Sequence, residues 1–198
     1  MSRTIKVIGY HGTSREAAAA ILAPGAKPGI QFLASESGSD WLGNGIYFFQ
    51  DAPFHALEWP MLRMPEWTRI TDPVVMCAEI DLTEHCLDLI DVQHSQFIVD
   101  EYTKLKARYN KERRCLPKNK GSNRRFDCCL INFTVDEIEK SGKRVDTIRA
   151  AFKEGKPIVP KSQIYSHAHI QVVVRPGRTA VISNVWLYNF QKGEDRWI

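Results

Sequence analysis

The chain has 198 residues, a net charge of +4, and 43% hydrophobic against 25% charged side chains. That is the makeup of one ordinary globular domain, long enough to bury a core without staples. No apolar run approaches the roughly 20 residues that cross a bilayer, and the N-terminal residues, Met1-Ser2-Arg3-Thr4-Ile5-Lys6, lack the apolar region of a signal peptide. Cys77, Cys86, Cys115, Cys128 and Cys129 are odd in number and two are adjacent. They suit neither a disulfide framework nor a zinc site; the expectation is idle thiols, no metal and a reducing, cytoplasmic location.

In chain order, Ile5–Gly9 reads as a strand ending in the turn His11-Gly12. Thr13 and Glu16 form a capping-box pattern, with Thr13 as N-cap of an alanine-rich helix that stops before Pro24-Gly25. Residues 26–38 read as loop with a brief extended piece at 31–33. Gly45–Phe49 is an aromatic and β-branched strand entered through Gly43-Asn44-Gly45, and Asp51 caps a helix over 52–59. Pro73–Leu82 reads as a core strand. Residues 95–113 form a helix, with Phe97, Ile98, Tyr102, Leu105 and Tyr109 near helical spacing.

Asn110–Arg125 shows no apolar period and reads as loop. Asp127–Phe133 is a short apolar strand or helix start, and Thr134-Val135-Asp136-Glu137 is a second capping box before a brief helix. Asp146–Lys153 reads as another short helix. Ala168–Arg175 and Thr179–Phe190 read as an antiparallel hairpin across Pro176-Gly177-Arg178. Short strands and helices without βαβ regularity predict an α+β fold, one domain over 1–198 with a helical, basic insertion around 95–126.

Two motifs carry the functional signal. Tyr10-His11-Gly12-Thr13 closes a strand and opens a helix; Gly43-x-Gly45-Ile46-Tyr47-Phe48 enters another strand. Together they suggest a flat slot with a backbone wall, open because glycine has no side chain, facing a ring. With the late strand His169-Ile170-Gln171-Val172-Val173-Val174, the pattern resembles the ADP-ribosyltransferases of the diphtheria-toxin and poly(ADP-ribose) polymerase branch. Those enzymes carry a His, a Tyr and a Glu on three strands. The likeness covers both ends of the chain and leaves about 61–161 unmatched.

The resemblance implies split, mostly antiparallel sheets with flanking short helices, and NAD as co-substrate without a metal. His11, Tyr47 and Gln171 would take the triad positions, and Tyr10, Gly12, Thr13, Gly45 and Trp59 would line the dinucleotide. His11 would bind ribose hydroxyls, Gly12 the carboxamide, and Tyr47 would stack on the cationic pyridinium, worth about 0.5–2 kcal/mol, with Tyr10 or Trp59 on the second face. As the glycosidic bond breaks, the ribose becomes oxocarbenium-like. Gln171 stands where the family has Glu; an amide holds a hydroxyl but carries no charge. Single transfer is therefore expected, not chain elongation. Glu79 is the rival carboxylate in an apolar strand, Asp40-Trp41-Leu42 would line the pocket, and Arg175, His167 and His169 read as surface groups.

From Lys104 to Arg125 there are ten Lys or Arg and one acid, Glu112. That excess fits a phosphate backbone, so the expected acceptor is RNA or DNA, slightly ahead of protein. By analogy with small enzymes of this kind, a toxin or defence effector with a neutralising partner is expected. The alternative is a catalytically silent NAD or ADP-ribose-binding module. An RNA 2′-phosphotransferase ranks last, since that family calls for His where Tyr47 stands.

Overall fold

The structure is a computed structural model that describes residues 5–29, 31–63, 66–121 and 123–190, without the side chains of Arg63 and Trp67. The expectation for Met1–Thr4 lies outside them. Seven strands form one sheet: β1 (Ile5–Ser14), β2 (Ile46–Gln50), β3 (Pro73–Leu82), β4 (Cys86–Asp88), β5 (Thr147–Phe152), β6 (His169–Val174) and β7 (Ile182–Leu187), in the order β4-β5-β6-β2-β1-β3-β7. Only β4 and β5 run parallel. The helices are α1 (Arg15–Ile21), α2 (Pro53–Glu58), α3 (Val92–Lys111) and α4 (Arg125–Lys140). The class is α+β, and no helix among the described residues is long and apolar enough to cross a membrane.

The sheet has a narrow waist. β1 and β3 pair along their full length, from Ile5↔Leu82 to Ser14↔Pro73, whereas β1 and β2 share only Gly9↔Gln50 and Tyr10↔Phe49. Beyond Tyr10 the two strands separate. One face of the sheet carries Val7, Phe48, Met76, Ile80 and Val172 under α1 and Phe32. On the other, α4 lays Ile131, Val135 and Ile138 over Leu87, Ile148 and Val173, and α2 seats Ala56 against Phe49 and Val75.

Several elements differ from the sequence expectations. The helix after β1 is capped by Ser14, which accepts the Ala17 N–H at 3.2 Å, one residue later than Thr13. Ala52 precedes α2 with no side-chain cap, and Asp51 takes a positive φ of 53° instead. Residues 127–140 are not two pieces but part of the one helix α4; Cys128, Ile131, Val135 and Ile138 keep helical spacing straight through Thr134, which is fully buried in its interior face. Residues 147–152 are a strand, not a helix, because β6 offers Thr147 to Phe152 a complete ladder. Tertiary pairing overrides the local pattern there.

The expected hairpin of the last two strands is also corrected. β6 is taken on both edges, by β2 and β5, and Val172, Val173 and Val174 are wholly buried. No edge remains for β7, which crosses to the far side of the sheet and pairs with β3. A short 3-10 turn, Thr179–Val181, makes that crossing.

Candidate active site

The three motif segments lie on three adjacent strands, β1, β2 and β6. Tyr10, Phe49 and Gln171 stand abreast in register, and Tyr47 pairs with Val173. Two strand spacings separate β1 from β6, roughly 10 Å, but the side chains divide between the two faces. His11 packs with Phe32 and Phe48 on the α1 face, whereas Tyr47, Gln171 and Tyr10 turn to the opposite face with Val173 and Phe49.

The Gly43-Asn44-Gly45 turn is shaped by packing. Gly43 has φ +74°, and a Cβ there would sit 2.5 Å from Asn132 Oδ1; Gly45 has φ +154°, and a Cβ would run into Val173. Asn132 of α4 locks the turn: its Oδ1 accepts the Asn44 N–H at 3.0 Å and its Nδ2 donates to Asn44 Oδ1 at 2.9 Å. Arg175 donates to the Asn44 carbonyl and, at 3.1 Å, to Asn132 Oδ1. It is a half-buried clamp and not the surface group expected; burial pushes its pKa below the ordinary arginine value. The Tyr47 hydroxyl donates to the Gly43 carbonyl at 2.6 Å and accepts the Leu42 N–H at 2.9 Å. Burial pushes its pKa up, so it stays a neutral phenol. Asp40 adds to that shift; its own carboxyl is pushed up by burial, against hydrogen bonds from Ser35 and Ser37.

On β1, the ring of His11 packs edge-on to Phe32 at 5.3 Å and near Phe48 at 5.8 Å. Its Nδ1 lies 2.8 Å from the Tyr47 carbonyl. Because a carbonyl only accepts, Nδ1 carries the proton, and burial lowers the pKa so that the ring is neutral. The imidazole thus bridges β1 and β2 just past the end of their ladder. The Asp51 N–H donates to the Ile8 carbonyl at 3.2 Å, so the even-numbered residues of β1 turn their main-chain groups toward β2. Two residues beyond the last pair, the Gly12 N–H and C=O face the gap. On its Cβ side Gly12 is met by the Ala56 carbonyl and Pro60, which makes glycine obligatory for seating α2. Thr13, opposite Val74, is partly exposed one residue further on.

Gln171 is 2% exposed. Its Nε2 lies 3.0 Å from His169 Nε2, and its Oε1 is buried without a hydrogen-bond partner among the described residues. His169 is buried, correcting the surface expectation, and its Nδ1 donates to the His167 carbonyl at 2.8 Å. His167 itself faces Glu58 at 3.5 Å. Around His169 stand Trp41, Phe49 and Phe152, with Trp59 between Trp41 and Phe49. Tyr10 packs edge-on to Tyr188 at 5.3 Å. Glu79 is elsewhere: beyond β1 on β3, it pairs with Lys6 at 2.9 Å and Asn184 at 2.7 Å. His55 of α2 and Glu154 after β5 also reach this place. Their distance in sequence gave no spacing signal. A cavity of about 730 Å³ lies well away, lined by His85, His94, Phe97, Lys143 and Arg144.

No family model matches the chain, and no solved structure matches it. It is similar to the uncharacterised protein MJ0359 of Methanocaldococcus jannaschii, 28% identical over 159 residues, covering 77% of this chain and 67% of that one.

Proposed function

We propose that the chain is a mono-ADP-ribosyltransferase that takes ADP-ribose from NAD, on an ADP-ribosyltransferase-like fold split at the β1–β2 waist. The observation that carries this reading is the gap itself. By the alternation along β1 the Gly12 N–H and C=O are directed toward β2, a donor–acceptor pair that matches the complementary pair of a carboxamide. Tyr47 and Trp59, both half-buried, offer ring faces to a cationic pyridinium. His11 lies on the α1 face; in this reading its Nε2, left with its lone pair by the Nδ1 bond, meets a ribose hydroxyl through the separation between β1 and β2.

In the reaction the bond between ribose C1′ and the nicotinamide nitrogen breaks, and its electron pair leaves with nicotinamide. The acceptor's nucleophilic atom attacks C1′ and loses its proton to a base. Gln171 Oε1, a buried acceptor without a partner among the described residues, holds the 2′-hydroxyl as positive charge develops on the ribose. It cannot ionise, so the chemistry stops at single transfer. The protein supplies binding and orientation, and NAD supplies the reactive bond.

The acceptor in this reading is nucleic acid. Lys106, Lys111, Arg113, Lys118, Lys120 and Arg125 are exposed and have no acidic partner among the described residues. Five free cysteines accord with a cytoplasmic setting; a toxin or defence role with a neutralising partner belongs to the same proposal. A second reading, a silent NAD-binding module, is favoured by the amide at position 171. Incubation with labelled NAD separates the two: label on RNA, DNA or protein supports the enzyme, whereas saturable binding without nicotinamide release supports the module.

A further inference from the structure

Beside the slot, donor atoms converge from three segments far apart in sequence. Phe152 pairs with His169, and the His167 N–H donates to the Glu154 carbonyl at 3.2 Å, so the β5–β6 ladder runs on and brings the Glu154 side chain next to His169. Helix α2 sets the His55 ring 4.1 Å from that of His169, centroid to centroid. One donor atom from each of His55, Glu154 and His169 lies within 4.8 Å of the other two, and His55 Nε2 is 3.8 Å from Glu154 Oε2.

We propose that His55, Glu154 and His169, with the side-chain carbonyl oxygen of Gln171, bind one divalent transition-metal ion of the zinc class. Two donors sharing a tetrahedral zinc at bonds of about 2.0–2.1 Å stand roughly 3.3 Å apart, so the His55–Glu154 pair closes by about 0.5 Å on loading. His169 Nδ1 donates to the His167 carbonyl at 2.8 Å and lies 4.0 Å from Glu154 Oε2, while Nε2 faces Gln171. Loading therefore requires this ring to turn Nε2 toward the ion, after which the Nδ1 bond is the outer bond that a metal-ligating imidazole usually carries.

Gln171 supplies the independent sign of a ligand. Its Oε1 has no hydrogen-bond partner among the described residues although the side chain is buried, and its Nε2 is 3.0 Å from His169 Nε2. A half-turn of the amide exchanges the two atoms and leaves Oε1 at a separation suited to two ligands of one ion. Trp41, Phe49 and Phe152 around His169 keep the place dry, which strengthens attraction between cation and carboxylate. Two imidazoles with oxygen donors suit zinc, iron, nickel or copper better than magnesium or calcium. The ion would tie α2 to the β5–β6 ladder. The ion and the ribose 2′-hydroxyl compete for the one Gln171 side-chain oxygen, so a loaded site takes that oxygen from the slot; the metal proposal itself needs none of the NAD reading.

The test uses the whole chain, stripped with a chelator and titrated with Zn²⁺ and, separately, Co²⁺, with no NAD present. The expected result is one zinc per chain after dialysis, a zinc-dependent rise in Tm, and the visible bands of low-symmetry cobalt. His55→Asn is read first because it leaves the β6 core intact; it and Glu154→Gln should each weaken binding at least about tenfold and abolish the Tm rise, while His85→Asn changes neither. Substoichiometric zinc in the wild type overturns the proposal. So does zinc binding by His55→Asn as tight as the wild type; the cluster is then a proton-sharing histidine–glutamate network.

Discussion

His11 Nδ1 donates its proton to the main-chain carbonyl of Tyr47 across 2.8 Å, where the ladder between their strands has already ended. A side chain does there what a backbone amide does in an unbroken sheet. Losing the ring strands a half-buried carbonyl, so His11→Ala should cost about 1–3 kcal/mol of stability, measured by urea unfolding. The same bond gives a pH dependence. Burial holds the folded-state pKa of His11 below its ordinary 6.5, so the unfolded chain takes up the proton first as the solution is acidified. The His11 contribution is complete above about pH 6.5 and is lost as pH falls through the folded-state pKa. Subtracting the profile of His11→Gln from that of the wild type should isolate a loss on the acid side; equal slopes would rule it out.

Gly12 should tolerate no side chain. The Cβ of Gly12→Ala would press on the Ala56 carbonyl and Pro60, and backbone cannot give way as a flexible side chain does. The expected cost is about 3 kcal/mol, read as a large drop in Tm. A near-normal Tm would mean that α2 is not seated as described.

Tyr47→Phe keeps the ring and removes one hydroxyl. The Leu42 N–H and the Gly43 carbonyl then lose their partner, so stability should fall by about 1–3 kcal/mol. Ligand stacking, which uses the ring face, should survive. Calorimetric titration with NAD checks this: near-unchanged affinity per folded molecule is expected, and complete loss would assign the hydroxyl a direct role.

The basic segment divides into two groups. Arg124 lies over the Trp41 ring at 4.7 Å and contributes to folding, so Arg124→Ala should lower Tm. Lys118, Lys120 and Arg125 are exposed. Their charge reversal should weaken RNA binding and leave Tm and NAD hydrolysis as they were. It should also flatten the salt dependence of RNA binding, by about 1 in log–log slope for each phosphate no longer neutralised. Joint loss of hydrolysis and RNA binding would make the segment structural.

Much of the sheet centre was legible because its signals are local. The aromatic and β-branched run after Gly45 and the apolar run from Val74 to Leu82 each announce a strand, and the glycines mark the turn. What was illegible depends on partners distant in sequence. Thr134-x-x-Glu137 resembles a helix start, yet Thr134 is buried in the middle of α4. Residues 147–152 resemble a helix until β6 is placed beside them. Residues 168–175 and 179–190 read as a hairpin across Pro176-Gly177-Arg178, but both edges of β6 are already occupied. At the site, Gln171 stood out in its strand, whereas Glu154 and His55 reach it only through the fold. Arg175, read as a surface group, turns inward because Asn44 and Asn132 offer it oxygen acceptors.

The measurement closest to the central claim is transfer from labelled NAD to total RNA, DNA and protein in parallel, with the adduct identified by mass. A single ADP-ribose on one acceptor class, nicotinamide released in equal amount, and strong loss in Gln171→Ala with NAD binding partly kept is the predicted result. No NAD binding and no nicotinamide release by the folded wild type would contradict it.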